Sequence, residues 1–174
     1  MQDANEKADI LIEALGWIRR FKDQTVVIKL GGSLMDDEAG IHHTLLDIVF
    51  MSTVGMRPVI VHGGGAKISR AMKKANIVPR FIHGRRYTDD ATLEIVTRVL
   101  GGEINQSIGQ QIEALEGRAM TLNCADGANN LVLHGERLTL DTPEGPTDLG
   151  HVGHITRVDR QVIENLCYSG QVPV

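Results

Sequence analysis

Aromatic residues are nearly absent: one Trp, two Tyr and three Phe in 174 residues. So few rings leave little from which to build the stacking platforms that hold single-stranded nucleic acid. Charge of one sign is also missing, since 18 basic and 22 acidic residues are well mixed and sum to −4. No general field attracts polyanions, and nucleic acid is not expected as a partner. No apolar run approaches the roughly 18 residues a membrane helix needs, so no membrane partner is expected either. The start, "MQDANEKADILIEALGWIRR", is acidic ahead of its apolar positions and has no small-residue cleavage site, which argues against a secretory signal and for a cytoplasmic location. The two cysteines, Cys124 and Cys167, lie far apart with no second Cys or His at metal spacing, and read as free thiols. The histidines form no convincing metal set, and no metal ligand is assigned.

What remains is the pattern of an α/β protein. Ile10, Leu11, Ala14, Leu15, Ile18 and Phe21 mark an amphipathic helix within residues 1–24, an extension ahead of a single domain over 25–174. "TVVIKL" is β-branched and continuous, as in a strand covered on both faces. A helix from Glu38 to Val54 follows, with Gly55 placed to cap it. "RPVIVHGGG" repeats the design, a buried strand running into glycine and then a helix through Ile68, Ala71, Met72 and Ala75. Strand, helix, strand, helix implies parallel strands joined by right-handed crossovers, and a three-layer α/β/α architecture with a mainly parallel central sheet.

"VPRFIHGRRYTDD" reads as an extended hairpin or loop entering a helix capped by Thr88 or Asp89. From Asp89 to Leu115 an apolar stripe of Leu93, Val96, Leu100, Ile104, Ile108, Ile112 and Leu115 predicts a helix about 40 Å long at about 1.5 Å per residue. So long a stripe suggests packing on a partner, and Gly101 and Gly102 predict a kink or a close helix approach. Beyond it come short strands divided by "ADG" and "HGE" turns, a helix over Asp159 to Tyr168, and "QVPV" as the opening of a buried strand.

Both glycine runs fall at the carboxyl ends of strands, the edge at which open α/β sheets bind ligands. Glycine lets backbone approach a ligand closely and turn successive amides toward one anion. The second run also opens a helix, whose free N–H groups and dipole attract phosphate. Lys29 adds a full positive charge. Two amide clusters and an ammonium suit a phosphoryl group in transfer, where positioning and charge stabilisation dominate. Neither run is a G-x-x-x-x-G-K-[ST] loop or a G-x-G-x-x-G fingerprint. In "GRRYTD", one of two adjacent arginines can face inward, and Arg86 is the candidate for bidentate capture of a carboxylate. His62, at a strand end, reads as a hydrogen-bonded structural residue rather than a base.

In order, "VVIKLGGS", "PVIVHGGG", "GRRYTDDATLEIV", "GGEIN" and "DLGHVG" resemble the N-terminal lobe of the amino-acid kinase family, and within it the branch that phosphorylates N-acetyl-L-glutamate with MgATP in arginine biosynthesis. The resemblance implies that Lys29, aided by the Gly31 and Gly32 amides, stabilises the transferring phosphoryl group. It also implies that Gly64 and Gly65 hold acetylglutamate and that Arg86 binds its α-carboxylate. It implies a homo-oligomer, with the long Asp89 helix at a dimer contact and the first helix similar to that of hexameric members. "TLNCADGANN" departs from the family's "GLSGKDG". "QVPV" falls at the family's midpoint, so the nucleotide lobe, with its catalytic aspartate and second lysine, is expected to be absent from this chain. Two rival expectations are a non-catalytic acetylglutamate-binding or oligomerisation module, and a sister kinase for carbamate, aspartate, glutamate or a nucleoside monophosphate.

Overall fold

The structure is a computed structural model that describes residues 2–122, 132–143 and 145–174, with side chains described from residue 5. The predicted "ADG" turn and Cys124 lie outside the described residues.

Helix α1 (Gln2–Phe21) is followed by strand β1 (Thr25–Leu30), a 3₁₀ turn (Leu34–Asp36), helix α2 (Glu38–Thr53) and strand β2 (Arg57–His62). Asp37 caps α2 by accepting from the Gly40 amide, as a short carboxylate does for an otherwise unsatisfied first-turn N–H. Gly55 follows with φ +89°. β1 and β2 are parallel, in register from Thr25 opposite Arg57 to Leu30 opposite His62.

Helix α3 (Gly65–Lys74) leads to a short antiparallel hairpin, β3 (Phe81–Ile82) and β4 (Arg85–Arg86), which turns through His83 and Gly84. Asp89 caps α4 (Asp90–Val96), accepting from the Thr92 amide at 2.8 Å. α4 passes without a break into a π-helical segment (Thr97–Ile104) and α5 (Asn105–Ala114). β5 (Ala119–Met120) pairs in parallel with β8 (Val172–Pro173), and β8 lies beside β2. Between them a long antiparallel hairpin, β6 (Leu133–Thr142) and β7 (Gly145–Val158), is followed by α6 (Arg160–Tyr168), which Asp159 caps.

The core forms where one face of β1 and β2 meets the helices. Leu30, Ile60, Leu45, Ile48, Ile68, Met72, Val99, Ile104, Ile108 and Ile112 form one buried cluster. Strand pleating sends alternate residues to the other face, which α6 covers only over β2 and β8, with the Arg57 guanidinium 4.1 Å above the Tyr168 ring. The expectation that "TVVIKL" is covered on both faces is therefore corrected. Val27 is 66% exposed, and Thr25 and Lys29, which share its face of β1, are exposed as well.

Two further expectations change. "HGE" is not a turn: Gly135 lies inside β6 at a register shift, so one continuous strand replaces two short ones. The kink expected at Gly101 and Gly102 takes the form of the π-helical segment that contains both. An extra residue per turn moves the buried face along by one position. The buried apolar residues run Ile95 in α4, Val99 and Ile104 within the π-helical segment, and Ile108 and Ile112 in α5, and the one five-residue step, from Val99 to Ile104, falls inside the segment. Ile95, Val99, Ile104, Ile108 and Ile112 belong to the chain's own core cluster, and Val96, Leu100 and Leu115 pack partly buried against it. α1, in contrast, leaves Ile10, Leu11, Leu15, Trp17 and Phe21 exposed.

Candidate functional site

Because β1 and β2 are parallel and in register, their carboxyl ends stop side by side. Lys29 stands opposite Val61, and Gly31 and Gly32 follow Leu30 just as Gly63, Gly64 and Gly65 follow His62. The Gly63 amide donates to the Leu30 carbonyl at 3.3 Å and ties the two runs together. Among the described residues, the amides of Gly31, Gly32, Gly64 and Gly65 donate to no backbone acceptor.

The glycines act by what they leave open. A Cβ built on Gly31, Gly32 or Gly65 meets nothing within 4 Å, so backbone there faces free space. Gly64 differs, because a Cβ would come within 2.5 Å of Ile104 Cδ1 and 2.7 Å of Leu100 Cδ2. At Gly64 glycine is required so that the π-helical segment can pack against the start of α3. None of these glycines has positive φ; the edge is open through missing side chains rather than through left-handed backbone.

Lys29 lies on the exposed face of β1 and has no ion-pair or hydrogen-bond partner among the described residues. Arg86 is held firmly. Its Nη2 donates to Ser69 Oγ at 2.8 Å and to the Gly65 carbonyl at 3.2 Å, its Nη1 donates to Met72 Sδ at 3.0 Å, and its guanidinium lies 4.7 Å over the Phe81 ring. Burial pushes its pKa down from the ordinary value, yet a guanidinium stays charged at neutral pH. Of its five N–H donors, three are engaged and two remain for a ligand. Arg85, its neighbour, points to solvent, as the alternation within "GRR" implied.

Sequence reasoning assigned no role to Ser69, Lys67 or Asn105. Ser69 anchors Arg86; its signal was a hydroxyl one turn into the helix that the second glycine run opens. Lys67 adds a cation in the first turn of α3, beside the Asp36 carboxylate that Arg70 holds at 2.7 Å and keeps below its ordinary pKa. Asn105 is a polar residue at 3% exposure within an apolar helix face, and its Nδ2 lies 3.4 Å from His62 Nε2. His62 is half-buried, and burial lowers its pKa, favouring the neutral ring at pH 7.

All six candidate residues thus border one open edge: Lys29, Gly31 and Gly32 from the first run, Gly64 and Gly65 from the second, and Arg86 bonded to the second. A cleft of about 550 Å³ lies nearby, lined by Asp36, His42, Lys67, Ser107 and Gln111 among others, and none of the six lines it. Among the described residues no group of three or more His, Cys, Asp or Glu is arranged to hold a metal, and no helix is long and apolar enough to cross a membrane. Chemically, an edge with a free ammonium, a partly engaged guanidinium and unpaired amides can hold an anion and stabilise negative charge that develops on it.

An acetylglutamate kinase of Clostridium beijerinckii is 37% identical over 174 residues, 100% of this chain and 58% of the relative. That of Methanococcus vannielii is 42% identical over 175 residues, 99% of this chain and 59% of the relative. The chain thus spans less than two thirds of the length of these curated relatives. Among solved structures, one from Streptococcus mutans superposes with a TM-score of 0.73 at 26% identity, covering 86% of this chain and 56% of the other. The N-acetylglutamate synthase of Neisseria gonorrhoeae, complexed with coenzyme A and N-acetyl-glutamate, superposes at 0.75 with 20% identity over 94% of this chain and 35% of the other, a likeness of fold. Residues 24–174 match the amino acid kinase family, and with relatives of this identity along its whole length the chain belongs to that family.

Proposed function

We propose that this chain is the acyl-substrate half of an acetylglutamate kinase, which phosphorylates the γ-carboxylate of N-acetyl-L-glutamate with ATP in arginine biosynthesis. The observation that carries this reading is the register that sets Lys29 to Gly32 beside His62 to Gly65, with Arg86 bonded to Gly65. The relatives named above bear the same activity in their names.

The Arg86 guanidinium takes the α-carboxylate, and the backbone of Gly64 and the open backbone of Gly65 lie against the acyl-amino acid. The γ-carboxylate oxygen attacks the γ-phosphorus of ATP in line: an O–P bond forms, the bond to the β-phosphate oxygen breaks, and ADP leaves. Charge on the transferring phosphoryl group is met by the Lys29 ammonium and by the Gly31 and Gly32 amides, a positioning and electrostatic task that needs no covalent enzyme intermediate. Magnesium arrives with the nucleotide. The parent protein acts in the cytoplasm as a homo-oligomer, and the exposed apolar face of α1 supports self-association.

Calorimetric titration of the 174-residue chain with N-acetylglutamate and with ATP tests the reading. Saturable binding of acetylglutamate without ATP is expected. Absence of acetylglutamate binding overturns the substrate assignment, and ATP binding or turnover overturns the assignment of this chain to the acyl-substrate half alone.

A further inference from the structure

Asn105 is the first residue of α5, and it reaches the interior because the π-helical segment before it moves the buried face on by one residue. An amide at 3% exposure costs stability unless it is paired. Its Nδ2 donates to the Val174 carbonyl oxygen at 2.9 Å, a buried bond, while its Oδ1 has no partner among the described residues. That bond fixes the amide orientation, since the reversed group would set Oδ1 against another carbonyl oxygen.

The second Nδ2 hydrogen is then the group nearest His62 Nε2, at 3.4 Å. A donor facing Nε2 requires a lone pair there, so the proton of the neutral ring belongs on Nδ1. His62 Nδ1 is itself buried without a partner among the described residues. His62 closes β2 and is followed directly by Gly63, Gly64 and Gly65.

We infer that Asn105 is a positioning residue: it holds His62 as the neutral Nδ1–H tautomer and joins the carboxyl ends of β2 and β8, so that the glycine run beyond His62 keeps its open shape. Asn105 touches no substrate in this scheme, and a protonated His62 would set an Nε2–H against the Asn105 amide hydrogens. The link from this clasp to ligand affinity rests on the acetylglutamate reading above; the tautomer assignment does not.

Long-range ¹H–¹⁵N correlation spectra of the ligand-free chain at neutral pH, with the His62 signals assigned by their loss in His62→Gln, read the tautomer directly. A protonated Nδ1 and bare Nε2 are expected in the wild type, and redistribution toward Nε2–H in Asn105→Leu, which keeps the volume and removes the donor. Calorimetry on Asn105→Leu is expected to show acetylglutamate binding weakened about tenfold, the loss of one buried hydrogen-bond partner. An Nε2–H tautomer in the wild type overturns the inference, and this arm stands even if the variant does not fold. Binding within twofold of wild type in a folded Asn105→Leu chain also overturns it. A wild-type chain that shows the expected tautomer but binds no acetylglutamate would instead refute the proposed substrate.

Discussion

Replacing Gly64 by Ala separates the packing role of the second glycine run from its ligand role. The new methyl would start 2.5 Å from Ile104 Cδ1 and 2.7 Å from Leu100 Cδ2. Leu100 is half-buried and can turn aside, but Ile104 is fully buried within the core cluster and has little room to retreat. Overpacking of this kind costs about 2 kcal/mol, equivalent to a fall of about 6 °C in the melting midpoint of a domain this size. Gly65→Ala is the counterpart. It adds a methyl that meets nothing within 4 Å, at the first position of α3, where Ala is the better helix former by up to about 1 kcal/mol. The expected outcome by thermal and urea unfolding is therefore a destabilised Gly64→Ala beside a Gly65→Ala chain equal to or above wild type, while acetylglutamate titration finds Gly65→Ala weakened by the methyl on the open edge. Equal midpoints for Gly64→Ala and wild type would refute the steric account of this glycine.

In an active parent enzyme Lys29→Ala is expected to lower the phosphorylation rate about 10²-fold and to leave the unfolding midpoint unchanged; a rate within a few-fold of wild type removes Lys29 from the proposed role. Arg86→Lys, which keeps the charge and loses the planar fork that reaches Ser69 and Gly65, should weaken acetylglutamate binding at least tenfold, whereas Arg85→Lys should leave it unchanged. Asp89 has its pKa lowered chiefly by its hydrogen bonds from Thr92. Its charged form therefore stabilises the fold fully above the unfolded carboxyl value of about 3.9, and that contribution is lost as pH falls through the lower folded value. Asp89→Ala should accordingly lower the midpoint at pH 7, and the difference from wild type should shrink below about pH 4; a difference that persists at pH 2 would refute the charged-cap account.

The strand-to-glycine edge was legible because "VVIKL" and "PVIVH" are β-branched runs that end in glycine, and parallel pairing then leaves those ends side by side. The cap of α4 was legible as Thr88 or Asp89, since both stand directly before helical periodicity, whereas Asp159 read as the first residue of the last helix and is its cap. Where reading failed, a tertiary fact intervened. The stripe over Leu93, Val96 and Leu100 assumed 3.6 residues per turn throughout, but the π-helical segment shifts the register between Val99 and Ile104, and Ile95 and Val99 are the buried residues ahead of that shift. β1 carries the residues of a doubly covered strand, but coverage depends on where α6 ends, which the strand does not encode. Asn105 lay within "GGEIN" with no local sign that its partners would be His62 and Val174, 43 and 69 residues away along the chain. Arg86 was chosen for its pairing chemistry, and its anchors on Ser69 and Met72 emerge only once α3 and the β3–β4 hairpin are packed together.

Gly150, within "DLGHVG", has φ +71°, and a Cβ there would run into the Thr88 carbonyl. Through it the β6–β7 hairpin is fastened at mid-length to the residue ahead of the Asp89 cap: the Thr88 amide donates to Leu149 O at 3.1 Å, the His151 amide donates to Thr88 O at 2.7 Å, and the His151 ring meets Asp90 at 2.6 Å. Two amides from distant parts of the chain are therefore shielded by one joint. They would exchange with solvent deuterium in a single opening event, at a shared rate, and any side chain at position 150 would unprotect both while leaving the amides of α2 and α5 as slow as before.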